Sequence, residues 1–170
     1  MNNNGKELKK VKYEIGSIGP AGGLIFYGKR SFSDGWRYLE AAPFDTEFTA
    51  EWGTFHRNVS DTSKNIGSGR KNMQLILALL TGNNERGRAA QMVTQLNVNG
   101  FSDWFLPGKN ELNLMYRNLK TCGLGGFNDK LYWSSSQNNN FVAWAQRFSD
   151  GVQPSNTKSN RFSVRAVRAF

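Results

Sequence analysis

At 170 residues, 38% hydrophobic and 13% aromatic, the chain is long enough for one domain that buries roughly two-thirds of the surface of its unfolded form. Eighteen Gly against four Pro describe a loop-rich globular protein, and the absence of any run of about 18 apolar residues argues against membrane insertion. The single Cys122 excludes an intrachain disulfide and leaves no zinc cluster, so neither metal nor cofactor is expected.

The formal net charge of +9 raises the question of a nucleic-acid partner. Only five of the 22 Lys/Arg fall in residues 131–170, against Asp150 alone, and the densest cluster, Lys6, Lys9, Lys10 and Lys12, belongs to an N-terminal basic arm over residues 1–15. A phosphate-binding surface concentrates cations on one face, so this spread reads as a solvated basic surface, with no nucleic acid expected. The opening Met1 to Lys6 shows no apolar stretch of a signal peptide.

Along the chain, Gly19-Pro20-Ala21-Gly22-Gly23 is a turn cluster leading into a strand over Leu24–Tyr27. Trp36 to Pro43 alternates and stops at proline, giving a second strand. Residues 44–69 are irregular, a long surface excursion with Trp52 and Phe55 as aromatic anchors. A helix is expected over Asn72–Leu80, closed by Thr81-Gly82. A second is expected over Glu85–Leu96, where Ala89, Met92, Val93 and Leu96 share a face. Lys109–Leu119 is the third, with Leu112, Met115, Tyr116 and Leu119 at helical spacing and Glu111 in the positive first turn.

The last third returns to strands. Tyr132–Ser136 is short and aromatic, and Val142–Phe148 puts Trp144, Gln146 and Phe148 on an expected core face, with Ala143, Ala145 and Arg147 opposite. Ser149-Asp150-Gly151 is turn chemistry, and Ser163–Phe170 reads as a final strand tied into a sheet. The fold class is α+β, with two to three helices beside small antiparallel sheets and long loops.

Residues 131–170 are also a frame with a different filling. Bulky framework aromatics, Tyr132, Trp133, Trp144 and Phe148, are separated by residues with no common chemistry. A resemblance to variable regions diversified by retroelements implies the full frame, Tyr132 to Gln137, Ala143, Trp144, Gln146, Phe148, Gly151, Gln153, Lys158 and Val164 to Arg168. Trp133, Trp144, Phe148 and Gly151 are assigned to the scaffold. The ligand-binding positions are Phe141, Val142, Ala145, Arg147, Ser149, Asp150, Val152, Ser155, Asn156, Thr157, Ser159, Asn160, Arg161, Phe162 and Ser163. Phe141, Phe162 and Arg147 are hot-spot types, and the Ser, Thr and Asn among them supply adaptable hydrogen bonds. Ala145 and Arg147 are expected to face solvent, where they can change without opening a core cavity.

Seven ordered blocks carry a resemblance: Gly19 to Tyr27, Tyr38 to Pro43, Ile66 to Gly69, Asp103 to Pro107, Glu111 to Tyr116, Tyr132 to Ser136 and Val164 to Arg168. Over residues 16–170 they resemble the C-terminal domain family of the Legionella collagen-like adhesin. That resemblance implies one C-type-lectin-like domain of the formylglycine-generating-enzyme branch. The 138–163 segment further resembles the variable region of proteins diversified by retroelements, in which adenine-rich Asn codons are miscopied around a surviving frame. This implies recognition of a protein or glycan on a cell surface by a virion tail fibre or a cell-surface protein, and leaves a homo-oligomer open.

Two other readings compete. An invariant adhesin domain for acidic polysaccharide would use the positive charge. A hydrolase would need His56 or a carboxylate pair in a pocket. His56 and Cys122 each lack a motif partner, the copper-binding cysteine pair of formylglycine-generating enzymes is missing, and Asp103 and Glu111 read as loop and helix-start residues. A non-enzymatic protein is therefore expected.

Overall fold

The computed structural model describes residues 11–170; Lys6, Lys9 and Lys10 of the basic arm lie outside the described residues. Two antiparallel strands, β1 (Leu24–Ser33) and β2 (Trp36–Ala41), open the fold. A short strand, β3 (Phe48–Glu51), interrupts the expected irregular excursion. Three helices follow, α1 (Gly69–Gly82), α2 (Ala89–Val93) and α3 (Lys109–Asn118), and then β4 (Leu131–Gln137), β5 (Val142–Arg147), β6 (Ser155–Thr157), β7 (Arg161–Val164) and β8 (Val167–Ala169).

These form an α+β architecture of two small sheets. One has strand order β1-β2-β8, the other β3-β7-β4-β5-β6, with β4 and β7 parallel and the remaining neighbours antiparallel. The final segment is thus two strands in different sheets, where the sequence suggests one. Arg165 and Ala166 carry the chain across, and the Arg165 side chain is consumed by the body of the protein: it donates to Glu47 at 2.7 Å and to the carbonyls of Gly125 and Ala42, and lies over Phe127. A guanidinium with that many oxygen partners is stable in a buried position, and it fixes the crossover.

Helix α2 is shorter than the spacing suggests. Gly87 takes a left-handed φ of 67°, and the Glu85 carboxylate turns away to accept the Thr54 N–H and pair with Arg88. Tertiary demand for Glu85 therefore overrides the helical period of 85–88. By contrast α1 and α3 form as their apolar faces dictate. Met73, Ile76 and Leu80 of α1 and Leu112 and Met115 of α3 are buried in the core with Trp52, Trp133, Tyr132 and Phe148. Buried Glu111 accepts the backbone N–H groups of Gly67 (2.7 Å), Gly69 and Gly108, so one carboxylate serves the starts of both helices. Burial pushes its carboxyl above the usual range, opposed by these donors.

A second buried network ties the two ends of the chain. Glu40 accepts the N–H groups of Ala21 and Gly23 and pairs with Arg168, which also donates to Asp103 at 2.9 Å. The glycine turn, the Tyr38 to Pro43 block, Asp103 and the terminal Val-Arg-Ala-Val-Arg run are one structural unit. The Asp103 and Glu111 carboxylates stabilise loops and helix starts, as their sequence context suggests.

Candidate functional site

Residues 131–163 supply strands β4, β5 and β6 and the start of β7, with their connecting turns. Their polar frame residues act as clips. Ser134 donates to the Trp144 carbonyl at 2.7 Å and Ser136 to the Ser63 carbonyl at 2.7 Å, while Ser135 accepts from Asn72. Ser135 and Ser136 thus fasten the irregular end of β4 to α1 and the 63 loop, and Ser134 fastens it to β5. Gln137 accepts the Val59 N–H at 2.8 Å; Gln146 donates to Asn113 at 2.9 Å; Gln153 donates to the Lys109 carbonyl at 2.9 Å. Gly151 sits at φ 79° against the Tyr116 ring, where a Cβ would collide.

Lys158 is the strongest clip. Its side chain is fully buried, and Nζ donates to the Arg57 carbonyl at 2.8 Å and Gln137 Oε1 at 2.6 Å, and lies near the Thr54 hydroxyl at 3.3 Å. It also lies over Trp52. Desolvation pushes its ammonium down to about 8, so it remains protonated at neutral pH, as a shell composed of oxygen acceptors requires.

The intervening residues divide into two groups. Phe141, Arg147, Ser149, Asp150, Val152, Ser155, Ser159, Asn160 and Arg161 are exposed; Val142, Asn156, Thr157 and Phe162 are half-buried. Ala145 and Ser163 do not reach solvent, contrary to expectation. Ala145 pairs directly across from Trp133 on β4, and its small side chain leaves space for that indole, which stacks with Phe162 at 4.5 Å. Ser163 lies on the interior strand β7, between Thr49 of β3 and Tyr132 of β4.

The faces of β5 also differ from the alternation reading. Ala143, Ala145, Gln146 and Phe148 are all buried, whereas scaffold residue Trp144 is half-buried. Strand β5 has β4 and β6 on its two edges, Trp133 shares the face of Ala145, and α3 also packs against the strand, so it has no fully open face. The Trp144 ring carries Lys109 Nζ at 3.4 Å and Lys64 Nζ at 4.8 Å. Burial, and then the Lys64 charge, hold the Lys109 ammonium below its ordinary value. The remaining scaffold residues Trp133, Phe148 and Gly151 are where a frame needs them. Phe148 packs against Tyr132 at 4.3 Å, Phe127 at 5.1 Å and Tyr116 at 5.4 Å.

The structure adds one loop that the sequence does not connect to this surface. Phe55 and His56 are exposed and meet Phe141: His56 to Phe141 is 5.0 Å and Phe55 to Phe141 is 6.0 Å between ring centroids. Phe55 is therefore no core anchor, unlike the buried Trp52. The missed signal is the adjacent ring pair Phe55-His56 in a stretch, 53–63, with no other aromatic residue. His56 and Cys122 are both exposed. Among the described residues no group of three His, Cys, Asp or Glu side chains is placed to hold a metal, and no helix is long and apolar enough to cross a membrane.

Residues 41–168 match the model of the Lcl C-terminal domain. The chain belongs to the Lcl C-terminal domain family. This Lcl domain is also similar in fold to a fimbrial protein from Bacteroides ovatus, at a TM-score of 0.54 and 15% identity. That match covers 79% of this chain but 36% of the fimbrial protein, so the Lcl domain corresponds to about a third of that longer chain. No curated protein matches it.

Proposed function

We propose that this Lcl domain is the ligand-binding module of an adhesin-like protein displayed on a cell surface or virion. In this reading it is one C-type-lectin-like domain over residues 16–170 that recognises a protein or glycan through the exposed part of 138–163 and performs no catalysis. The observation that carries the reading is the division of labour in that segment. Gln137, Gln146, Gln153 and Lys158 are tied to the body by hydrogen bonds, while Phe141, Arg147, Val152, Ser155 and Arg161 between them face solvent. Backbone held by fixed clips tolerates changes in the side chains that project from it. Such a surface suits diversification by a retroelement, the finer form of the proposal. Ala145 and Ser163 belong to its frame.

The direct test coats beads with the purified chain and measures their retention on bacterial and host cells. A Phe141→Ser/Arg147→Ser/Arg161→Ser variant with an unchanged melting temperature should lose at least about 10-fold in retention. Equal retention by the variant contradicts the assignment. Diversification is tested separately by sequencing the gene and its surroundings. An imperfect, adenine-marked repeat of the 3′ end beside a reverse-transcriptase gene supports it; identical C-terminal sequences across a population without such a repeat contradict it.

One observation favours the invariant polysaccharide reading. Lys64 and Lys109 converge on Trp144, and neither has a carboxylate partner among the described residues. If that pair is the site, retention collapses in 0.5 M salt, where screening shortens to a few ångströms, and in Lys64→Ala/Lys109→Ala, at about the screening expected of exposed charges.

A further inference from the structure

Gly53, Thr54 and His56 lie in a turn with unusual backbone geometry. Thr54 and His56 adopt left-handed φ values of 56° and 66°, and for the β-branched Thr54 this is a strained conformation. The turn is held from three directions. The Lys158 carbonyl accepts the N–H groups of Trp52 and Gly53, the Glu85 carboxylate accepts that of Thr54, and Lys158 Nζ binds the carbonyl of Arg57. The N–H of Lys158 itself donates to the carbonyl of Phe141 at 3.0 Å. One buried lysine therefore sets the position of the turn and of Phe141 together.

The product of this strain is the outward display of three rings. Phe55 is 40% and Phe141 44% exposed, an unfavourable placement for phenyl groups that a partner would relieve. The rings do not lie flat. Their interplanar angles are 67° for Phe55 with His56, 74° for Phe55 with Phe141 and 81° for His56 with Phe141. A sugar stacks its C–H face on an open, flat ring, whereas these rings meet edge to face and form no common flat platform, an arrangement that suits edge-to-face contact with a further aromatic or apolar side chain. Arg57, next to His56 in the chain, is exposed and forms no ion pair among the described residues, so a carboxylate beside the inserted group would be favoured.

Resting on the ligand-binding reading above, we propose that Phe55, His56 and Phe141 form the centre of the recognition surface, and that its partner is a protein segment inserting an aromatic or apolar side chain flanked by acidic residues. The turn at 54–57 is thus part of the binding site, and Lys158 is a positioning residue.

The experiment is NMR titration of the whole chain, uniformly 13C- and 15N-labelled so that backbone amides and aromatic rings are both followed, using three probes: Ac-Glu-Trp-Glu-amide, Ac-Lys-Trp-Lys-amide and a set of methyl glycosides. The expected result is saturable shifts of the Phe55, His56 and Phe141 rings with the acidic peptide. Binding should be about 10-fold weaker with the basic peptide and absent with the glycosides. Phe55→Ser/Phe141→Ser, at an unchanged melting temperature, should abolish the remaining shift of the His56 ring. Glycosides shifting these three rings, or the two peptides binding equally, overturns the proposal. Acidic-peptide shifts confined to Trp144 or Val152 overturn the aromatic centre but leave the wider surface standing. No response anywhere in 54–57 or 138–163 to any probe, together with unchanged cell retention of the Proposed function variant, removes both.

Discussion

At the residue scale, Lys158 joins stability to the shape of the site. Its ammonium satisfies oxygens of Thr54 and Arg57 and is a second donor to Gln137 Oε1, which also accepts the Val59 N–H. Lys158→Met should destabilise the protein by about 2–3 kcal/mol at pH 7, measured by urea unfolding. The pH dependence has a definite sign. With the folded ammonium held at about 8 and the unfolded one at its ordinary 10.5, the unfolded chain binds more protons between those values. Stability contributed through this group therefore rises as pH increases from 8, by on the order of 2 kcal/mol by pH 10, and Lys158→Met should lack that rise. Tyr132 acts oppositely above pH 10. Burial, then the Glu47 charge, hold its phenol well above the ordinary value, so the unfolded chain ionises first and stability falls. A wild-type curve that is flat from pH 8 to 10 would contradict the assigned role of Lys158.

At the scale of elements, legibility in the sequence followed how far local pattern and tertiary demand agreed. Helices α1 and α3, strands β1, β2, β4 and β5 and the Glu111 helix start were readable because apolar spacing and end signals coincide with burial. The split of β7 from β8 was not, since Ser163 to Phe170 has uniform strand chemistry and only the buried Arg165 network reveals a crossover between sheets. The face of β5 was misread for a related reason. Simple alternation assumes one wet face, but this interior strand has Trp133 opposite Ala145 on one side and lysines over Trp144 on the other. The consequence is measurable. Phe148→Ala should cost about 3–5 kcal/mol, as for a large buried aromatic, and Trp144→Ala less than half of that because the indole is only half-buried. Equal losses in denaturant unfolding would restore Trp144 to the core.

At the scale of the whole molecule, the proposed recognition surface and the buried interior place separate requirements on the sequence. The polar part of the frame, Gln137, Gln146, Gln153 and Lys158, was legible only through the resemblance to retroelement-diversified variable regions, because nothing in local pattern shows which polar side chains are tied to the body. The contribution of Phe55 and His56 was not legible, because it depends on a strained turn more than 80 residues from Phe141 in sequence being brought beside it. The separation of holding residues from recognising residues is the central claim, and one measurement tests it most directly: a surface-display scan of every substitution across 131–163, read by the amount of folded protein displayed. Tolerance is predicted at Phe141, Arg147, Ser149, Val152, Ser155, Ser159, Asn160 and Arg161, with loss at Trp133, Ala145, Gln146, Phe148, Lys158 and Ser163. Loss at the exposed set comparable to loss at the buried set, or free substitution of Ala145 and Ser163, would contradict it.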